Sequence, residues 1–391
     1  MSEMLYIGID ASNLGSGGAK THLRELLHAA KPEAYGVGRV VVWGAENTLA
    51  LIADQPWLVK RCPQALNGGL LQRSRWQRFS LSKAAVSEGC DVLFVPGGSY
   101  AGSFHPVVTM SQNMLPFEWR ELKRYGISID TLKLLLLRRV QGTSFQRSEG
   151  VIFLTEYARD AVQMVTGKLG GEVAVVPHGL NVRFKKVPRK QQPITDYSQE
   201  SPYRIIYVST VSEYKHQWQV VEAVGRLRET TGWPIQLELV GSASSRPLRR
   251  LHAAMHRWDT EQVWVKYHGL LPHEQLHTLY QGADLGLFAS SCENMPNILI
   301  ETMAAGLPIA CSNYGPMPEV LGDAGVYFDP ENSTDLIKAL YELISSPDLR
   351  AEIADRSYTK VHQYSWERCA DSTFRFLAEI AGVARRRNSE F

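Results

Sequence analysis

Short apolar runs recur along the chain, each broken by a loop rich in Gly, Pro, Asn or Ser and followed by a segment with helical apolar spacing. LYIGID, GRVVVW, DVLFVP, VVTM, GVIFLT and EVAVVP form one such series; RIIYVS, IQLELVG, VWVKYHG and DLGLFAS form a second. Alternating strand and helix signals of this kind predict doubly wound α/β architecture with parallel sheets. The stretch from Gly282 to Asp329 shows the rhythm most clearly: strand, loop, helix, strand, loop, short helix, strand. Pro296 suits the first turn of its helix, and Gly306 with Pro308 closes it. Between the two series, Phe184–Tyr203 has the Pro, Gln, Ser and charge content of a linker. The expected domains are therefore 1–187 and 200–364.

Two carboxylates in the Gly282–Asp329 stretch have no evident packing reason. Glu293 lies in the loop after DLGLFAS, and Glu301 lies inside the following helix among Ile298, Leu299, Ile300, Met303 and Ala304. An ionised group in so apolar a helix needs a partner. The helix begins at the carboxyl edge of a strand, where open α/β sheets bind phosphate-bearing ligands. Glu301 is thus expected to accept sugar hydroxyls, with Glu293 above the same site. A solvated loop carboxylate and a solvated helix face are the plain alternatives.

Composition narrows the class. With 391 residues and 44% hydrophobic content the chain can bury two cores. Its five cysteines are scattered without metal-ligand spacing, which fits a reducing compartment. No apolar run reaches the ~20 residues that span a bilayer. The net charge of +2 is unevenly spread: residues 1–190 hold 24 Lys+Arg against 15 Asp+Glu. A basic front half points to a phosphate-bearing acceptor or an anionic membrane surface. The glycine-rich turn SNLGSGGAK fails as a P-loop because Ala19 precedes Lys20, and fails as a dinucleotide fingerprint because Lys20 replaces the third glycine. In GGLLQRSRWQRFSLSKAAVSEGC, Arg73, Arg75 and Arg78 interleave with Leu70, Leu71, Trp76 and Phe79. That pattern fits an interfacial amphipathic helix or an ordinary helix with one face in the core. Trp119, Arg120, Lys123, Arg124, Lys133, Arg138 and Arg139 extend the basic, aromatic-flecked character.

From Val263 to Trp366 the chain resembles the donor-binding domain of retaining nucleotide-sugar glycosyltransferases of the GT-B fold, glycosyltransferase family 4. The matching pieces are HGLLPHEQLHTLYQGADLGLFAS, the glutamate pair, ETMAAGLPIACS, PEVLGDAGVYFDP and YSWE. The resemblance implies two Rossmann-like domains facing each other across a cleft, with the segment 365–391 crossing back onto the first domain; RRRNSEF reads as a frayed basic tail. It implies catalytic positions at Glu293, Lys215 and Gln112. It implies donor contacts at Gly17, Gly18, Thr210, Gly269, Leu270 and Glu301, and along Asn294, Met295, Pro296 and Asn297. Three positions depart from the family pattern: ENMPN stands for Glu-Gly-Phe-Gly, Thr210 for an arginine that helps Lys215 clamp the diphosphate, and Gln112 for a histidine. No Asp-x-Asp triplet occurs, and the resemblance implies neither metal nor cofactor.

The function so implied is transfer of a hexose-type sugar from a GDP- or UDP-linked donor to a glycan or polyprenyl-diphosphate-linked acceptor, as in O-antigen or capsule assembly. The expected setting is the cytoplasm, with peripheral contact at the inner face of the membrane and no nucleic-acid partner. A catalytically idle GT-B subunit and a nucleotide-sugar epimerase or phosphorylase of related architecture are the alternatives.

Overall fold

The computed structural model describes residues 4–14 and 17–389. Gly15 and Ser16 of the glycine-rich turn, and Glu390 and Phe391 of the tail, lie outside the described residues. The chain divides into two units, one running to Gly179 and resuming at Tyr364, the other spanning Leu180–Gln363.

The first unit is built on β1 (Leu5–Asp10), β2 (Val37–Trp43), β3 (Leu58–Arg61), β4 (Val92–Val95), β5 (Val107–Met110), β6 (Gly150–Phe153) and β7 (Glu172–Val175). These form a seven-stranded sheet ordered β3-β2-β1-β4-β5-β6-β7, with every adjoining pair parallel. The second unit carries β8 (Tyr203–Val208), β9 (Ile235–Val240), β10 (Val265–Tyr267), β11 (Leu285–Phe288), β12 (Ile309–Ser312) and β13 (Val326–Phe328). Its six-stranded sheet is ordered β10-β9-β8-β11-β12-β13 and is likewise parallel. Parallel strands need crossover connections, and the helices that make them cover both faces of each sheet. The continuous burial of β4, β5, β6, β11 and β12 follows from that covering. Strand β3 had no sequence signal: it is a short edge strand, LVKR, with no residue fully buried.

The helices that matter for the argument are α1 (Gly18–Ala29), α2 (Leu70–Phe79), α3 (Trp119–Arg124), α4 (Ile129–Arg147), α5 (Gln217–Thr231), α6 (Asn297–Ala304) and α7 (Trp366–Ser389). Pro296 is the residue preceding α6 rather than part of its first turn, and Gly306 takes the left-handed conformation just beyond its end, at φ 67°. Helix α7 packs on α1 within the first unit and continues to Ser389, so RRRN extends a helix instead of fraying.

The linker-like segment lies wholly inside the second unit. Asp284, 6% exposed, accepts hydrogen bonds from Arg189 Nη2 (2.5 Å), the Tyr197 hydroxyl (2.7 Å) and the Arg204 amide (2.8 Å). Arg350 is fully buried and donates to the Gln191 side chain (3.2 Å) and to the carbonyls of Gln192, Leu343 and Ile344. Polar residues that look like a solvated tether are thus the partners of buried charges far along the chain. Such charges are tolerated only when hydrogen-bonded.

Candidate donor site at the carboxyl edge of the second sheet

In the order β10-β9-β8-β11 the chain reverses its winding direction between β8 and β11, and the loops leaving those two strands diverge to opposite faces of the sheet. A crevice at such a switch point is where open α/β sheets hold ligands. Ser209–His216 follows β8 and Ala289–Pro296 follows β11. The two loops are stitched together. The Ser291 amide donates to the Tyr214 carbonyl at 2.8 Å, the Ser291 hydroxyl donates to the same oxygen at 3.2 Å, and His216 Nε2 lies 3.0 Å from that hydroxyl.

This stitching brings Lys215 and Glu293 together. Lys215 Nζ contacts Glu293 Oε1, with the two side chains only 11% and 16% exposed. A single 3₁₀ turn, Glu213–Lys215, delivers the lysine, and left-handed His216 (φ 57°) then starts α5. The Tyr207 hydroxyl fixes the turn by donating to the Lys215 carbonyl at 2.9 Å. The ammonium also stands over the rings of Tyr214 and Phe288, 5.1 and 5.6 Å from their centroids. Burial pulls the Lys215 pKa down, but the Glu293 carboxylate outweighs it and holds the pKa above its ordinary value. Lys215 is therefore a full cation beside a carboxylate.

Glu301, 7% exposed on α6, has the partner that its apolar surroundings demand, and it is one that inspection of the chain did not assign. His273 Nε2 lies 2.7 Å from Glu301 Oε1, and Arg183 Nη2 lies 3.0 Å from His273 Nδ1. A guanidinium only donates, so Nδ1 accepts from Arg183 and Nε2 carries the proton given to Glu301. The second oxygen, Oε2, is buried with no hydrogen-bond partner among the described residues. A carboxylate held by one oxygen and open at the other is an acceptor awaiting a donor. Burial, reinforced by the Glu301 charge, raises the nearby Tyr280 phenol well above its ordinary pKa, so it stays protonated. The signal for His273 was present as HGLLPHEQLHTLY, but nothing local distinguishes its first histidine after the proline as a ligand of a residue 28 positions later.

The other expected positions fall on the same edge. Thr210 is exposed; its carbonyl accepts from Gln217 Nε2 at 3.0 Å, and its hydroxyl lies 3.4 Å from that of Ser242. Arg250 and Arg246 approach Glu213, three residues on, at 2.6 and 3.6 Å. Gly241 lets the loop after β9 press against the loop after β8, since a Cβ there would sit 2.1 Å from the Ser209 carbonyl oxygen. Gly269 ends β10 in the left-handed region at φ 67°, its carbonyl accepts from the Gly241 amide at 2.8 Å, and Leu270 beside it is 75% exposed. Asn294, Met295 and Pro296 are buried and Asn297 is half-buried at the start of α6.

Gly17, Gly18 and Gln112 belong to the first unit. Gly17 (φ 83°) precedes α1, and among the described residues beyond their chain neighbours neither it nor Gly18 has an atom within 4 Å of where a Cβ would stand. Gln112 follows β5, half-buried, with Nε2 at 3.2 Å from Met110 Sδ. In the same unit α2 does not sort into a wet and a dry face. Trp76 packs on the core and Gln77 is buried against Asp10 (2.5 Å), while Arg73 and Arg78 bond the carbonyls of Ser12 and Ala101. Among the described residues no group of three or more His, Cys, Asp or Glu is arranged to hold a metal ion, and no helix is long and apolar enough to cross a membrane.

Residues 190–360 match the model of the glycosyl transferases group 1 family, which covers most of the second unit. The O-antigen chain mannosyltransferase B of Escherichia coli is 30% identical over 247 residues, 63% of this chain and 60% of that protein. The glycogen synthase of Mycobacterium tuberculosis is 24% identical over 240 residues, 60% of this chain and 55% of its own length. The chain thus spans at most 60% of either relative. Among solved structures, the sucrose-phosphate synthase of Thermosynechococcus elongatus superposes with a TM-score of 0.76 at 16% identity, covering 97% of this chain and all of that one. Anabaena HepE in complex with UDP and glucose gives 0.66 at 19%, covering 98% of this chain and 100% of its own. These likenesses define the fold as GT-B, two parallel-sheet Rossmann-like domains; the family match falls on the domain that carries the glutamate pair.

Proposed function

We propose that the chain is a retaining, metal-independent glycosyltransferase that moves a hexose-type sugar from a GDP- or UDP-linked donor to a glycan or polyprenyl-diphosphate-linked acceptor, as in O-antigen or capsule assembly. The reading rests on the largely buried Lys215–Glu293 pair and on the buried Glu301, the two glutamates lying in the loop and helix after β11 of a domain that matches the group 1 family. Glu301 Oε2 accepts the ribose hydroxyls of the donor nucleotide, and Lys215 offsets the charge that builds on the departing diphosphate. The pair with Glu293 is neutral overall, so an arriving diphosphate draws Lys215 toward it and releases Glu293 to orient the transferred sugar. Displacement then proceeds on one face: the bond from the anomeric carbon to the phosphate oxygen breaks, the acceptor oxygen bonds to that carbon, and the departing phosphate oxygen takes the acceptor proton. No side-chain base is needed, and positioning supplies most of the acceleration. The mannosyl relative makes mannose the first sugar to test. The acceptor is met at the inner face of the cytoplasmic membrane.

The test is a binding and turnover panel of GDP- and UDP-linked hexoses, with the anomeric configuration of the product read by NMR. Glu293→Gln should keep diphosphate binding and lose turnover, whereas Glu301→Ala should weaken binding of the bare nucleoside diphosphate. Equal losses of diphosphate affinity in both would overturn the division of roles, and an inverted product would overturn the mechanism.

A further inference from the structure

Helix α4 carries apolar residues on the wrong side. Its second half packs inward through Gly142, Ser144 and Phe145, yet Ile129, Leu132, Leu136 and Val140 stand in solvent, exposed by 73, 68, 62 and 39%. Their spacing, three then four then four, lays them in one stripe along the helix. On the preceding helix Trp119, 55% exposed, sits under the Arg138 guanidinium, 5.7 Å from its ring centroid, and Ile127 in the connection is fully exposed. Single exposed leucines are ordinary, but a continuous apolar stripe along one helix marks a contact surface.

Its charge names the occupant. Residues 119–147 hold seven Lys and Arg against two Asp and Glu. Of the two acids, Glu121 is buried against Arg124 and Asp130 is paired with Lys133. A second copy of this surface would bring two basic faces together. An acidic lipid surface instead receives the apolar stripe in its acyl boundary and the basic side chains among its headgroups. We infer that α3 and α4 form a docking surface for an anionic bilayer, with the Ile129-Leu132-Leu136-Val140 stripe inserted and Lys123, Lys133 and Arg139 at the headgroups. This names the membrane-facing element of the function proposed above. The surface grows from the loop after β5, which also carries Gln112, so docking places the carboxyl edge of the first sheet near the lipid.

The test is flotation of the full chain with phosphatidylcholine vesicles, with and without phosphatidylglycerol, in the absence of any sugar donor or acceptor. The chain should float with the anionic vesicles alone and be released by salt. Lys133→Glu/Arg139→Glu should weaken partitioning by about tenfold or more, because each basic residue near an anionic surface contributes a factor of about five. Leu132→Ser/Leu136→Ser should lose binding while keeping the native melting temperature, since both side chains face solvent. Protein that stays unbound at low salt, or variants that float like the native chain, would overturn the inference. A concentration-dependent dimer that the leucine variant dissolves, without vesicle binding, would assign the stripe to a second copy instead. Nucleoside diphosphate affinity measured on the same variants separates this outcome from failure of the donor site.

Discussion

Nε2 of His273 lies 2.7 Å from Oε1 of Glu301, and Arg183 occupies the other nitrogen of the same ring. The histidine is thereby oriented with Nε2 toward Glu301, which is held with one oxygen committed. Removing the donor leaves a nearly buried carboxylate short of a charge-assisted bond, a loss of about 1.5–3 kcal/mol. His273→Ala should therefore weaken binding of a bare nucleoside diphosphate by roughly tenfold or more by isothermal titration. His273→Gln, which can still donate, should recover part of it. Unchanged affinity in His273→Ala would show that Glu301 is oriented by its helix alone.

The Lys215–Glu293 pair makes a stability prediction distinct from its chemistry. Breaking a buried ion pair from one side leaves an uncompensated charge and typically costs about 3–5 kcal/mol. Lys215→Met should lower the urea midpoint strongly. The double variant Lys215→Met/Glu293→Gln should be more stable than the single one, because its second change removes the stranded charge. A double variant whose loss equals the sum of the singles would mean that the pair does not couple.

His22 sets an acid limit on the first unit. It is fully buried against His178, with ring centroids 4.5 Å apart, and Trp366 lies beside both. Burial, with His178 adding to it, holds its pKa well below the ordinary 6.5. The unfolded chain takes up a proton near pH 6.5 that the folded chain refuses, so stability present above that pH falls as the pH drops below it. Melting temperature should decline more steeply below about pH 6.5 in the native chain than in His22→Phe. Parallel pH profiles would remove His22 as the cause.

The proposed metal independence is checked by chelation. Transfer rates in excess EDTA should stay within about twofold of the untreated enzyme, as expected when Lys215 rather than a Lewis acid offsets the diphosphate charge. Loss of activity restored by Mn²⁺ would require a different account of leaving-group stabilisation.

The chain's own pattern determined most of the architecture. Apolar runs such as LYIGID, DVLFVP and IACS became parallel strands because burial on both faces is written locally as unbroken hydrophobicity. Helix signals were equally local: Thr155, a strong N-cap type, precedes the helix Glu156–Thr166 and caps it by accepting from the Ala158 amide at 3.1 Å. Glu301 announced that it needed a partner through the apolar residues around it, but not which one. Tertiary structure alone supplied His273 and Arg183, joined Lys215 to Glu293 across 78 positions, and turned the linker-like Arg189 and Gln191 into partners of Asp284 and Arg350. It also decided that the leucines of α4 face outward. Local sequence records how hydrophobic a residue is and its spacing from near neighbours. Which face of a helix meets the core, and which distant charge meets which, depends on contacts that exist only once the chain has closed on itself.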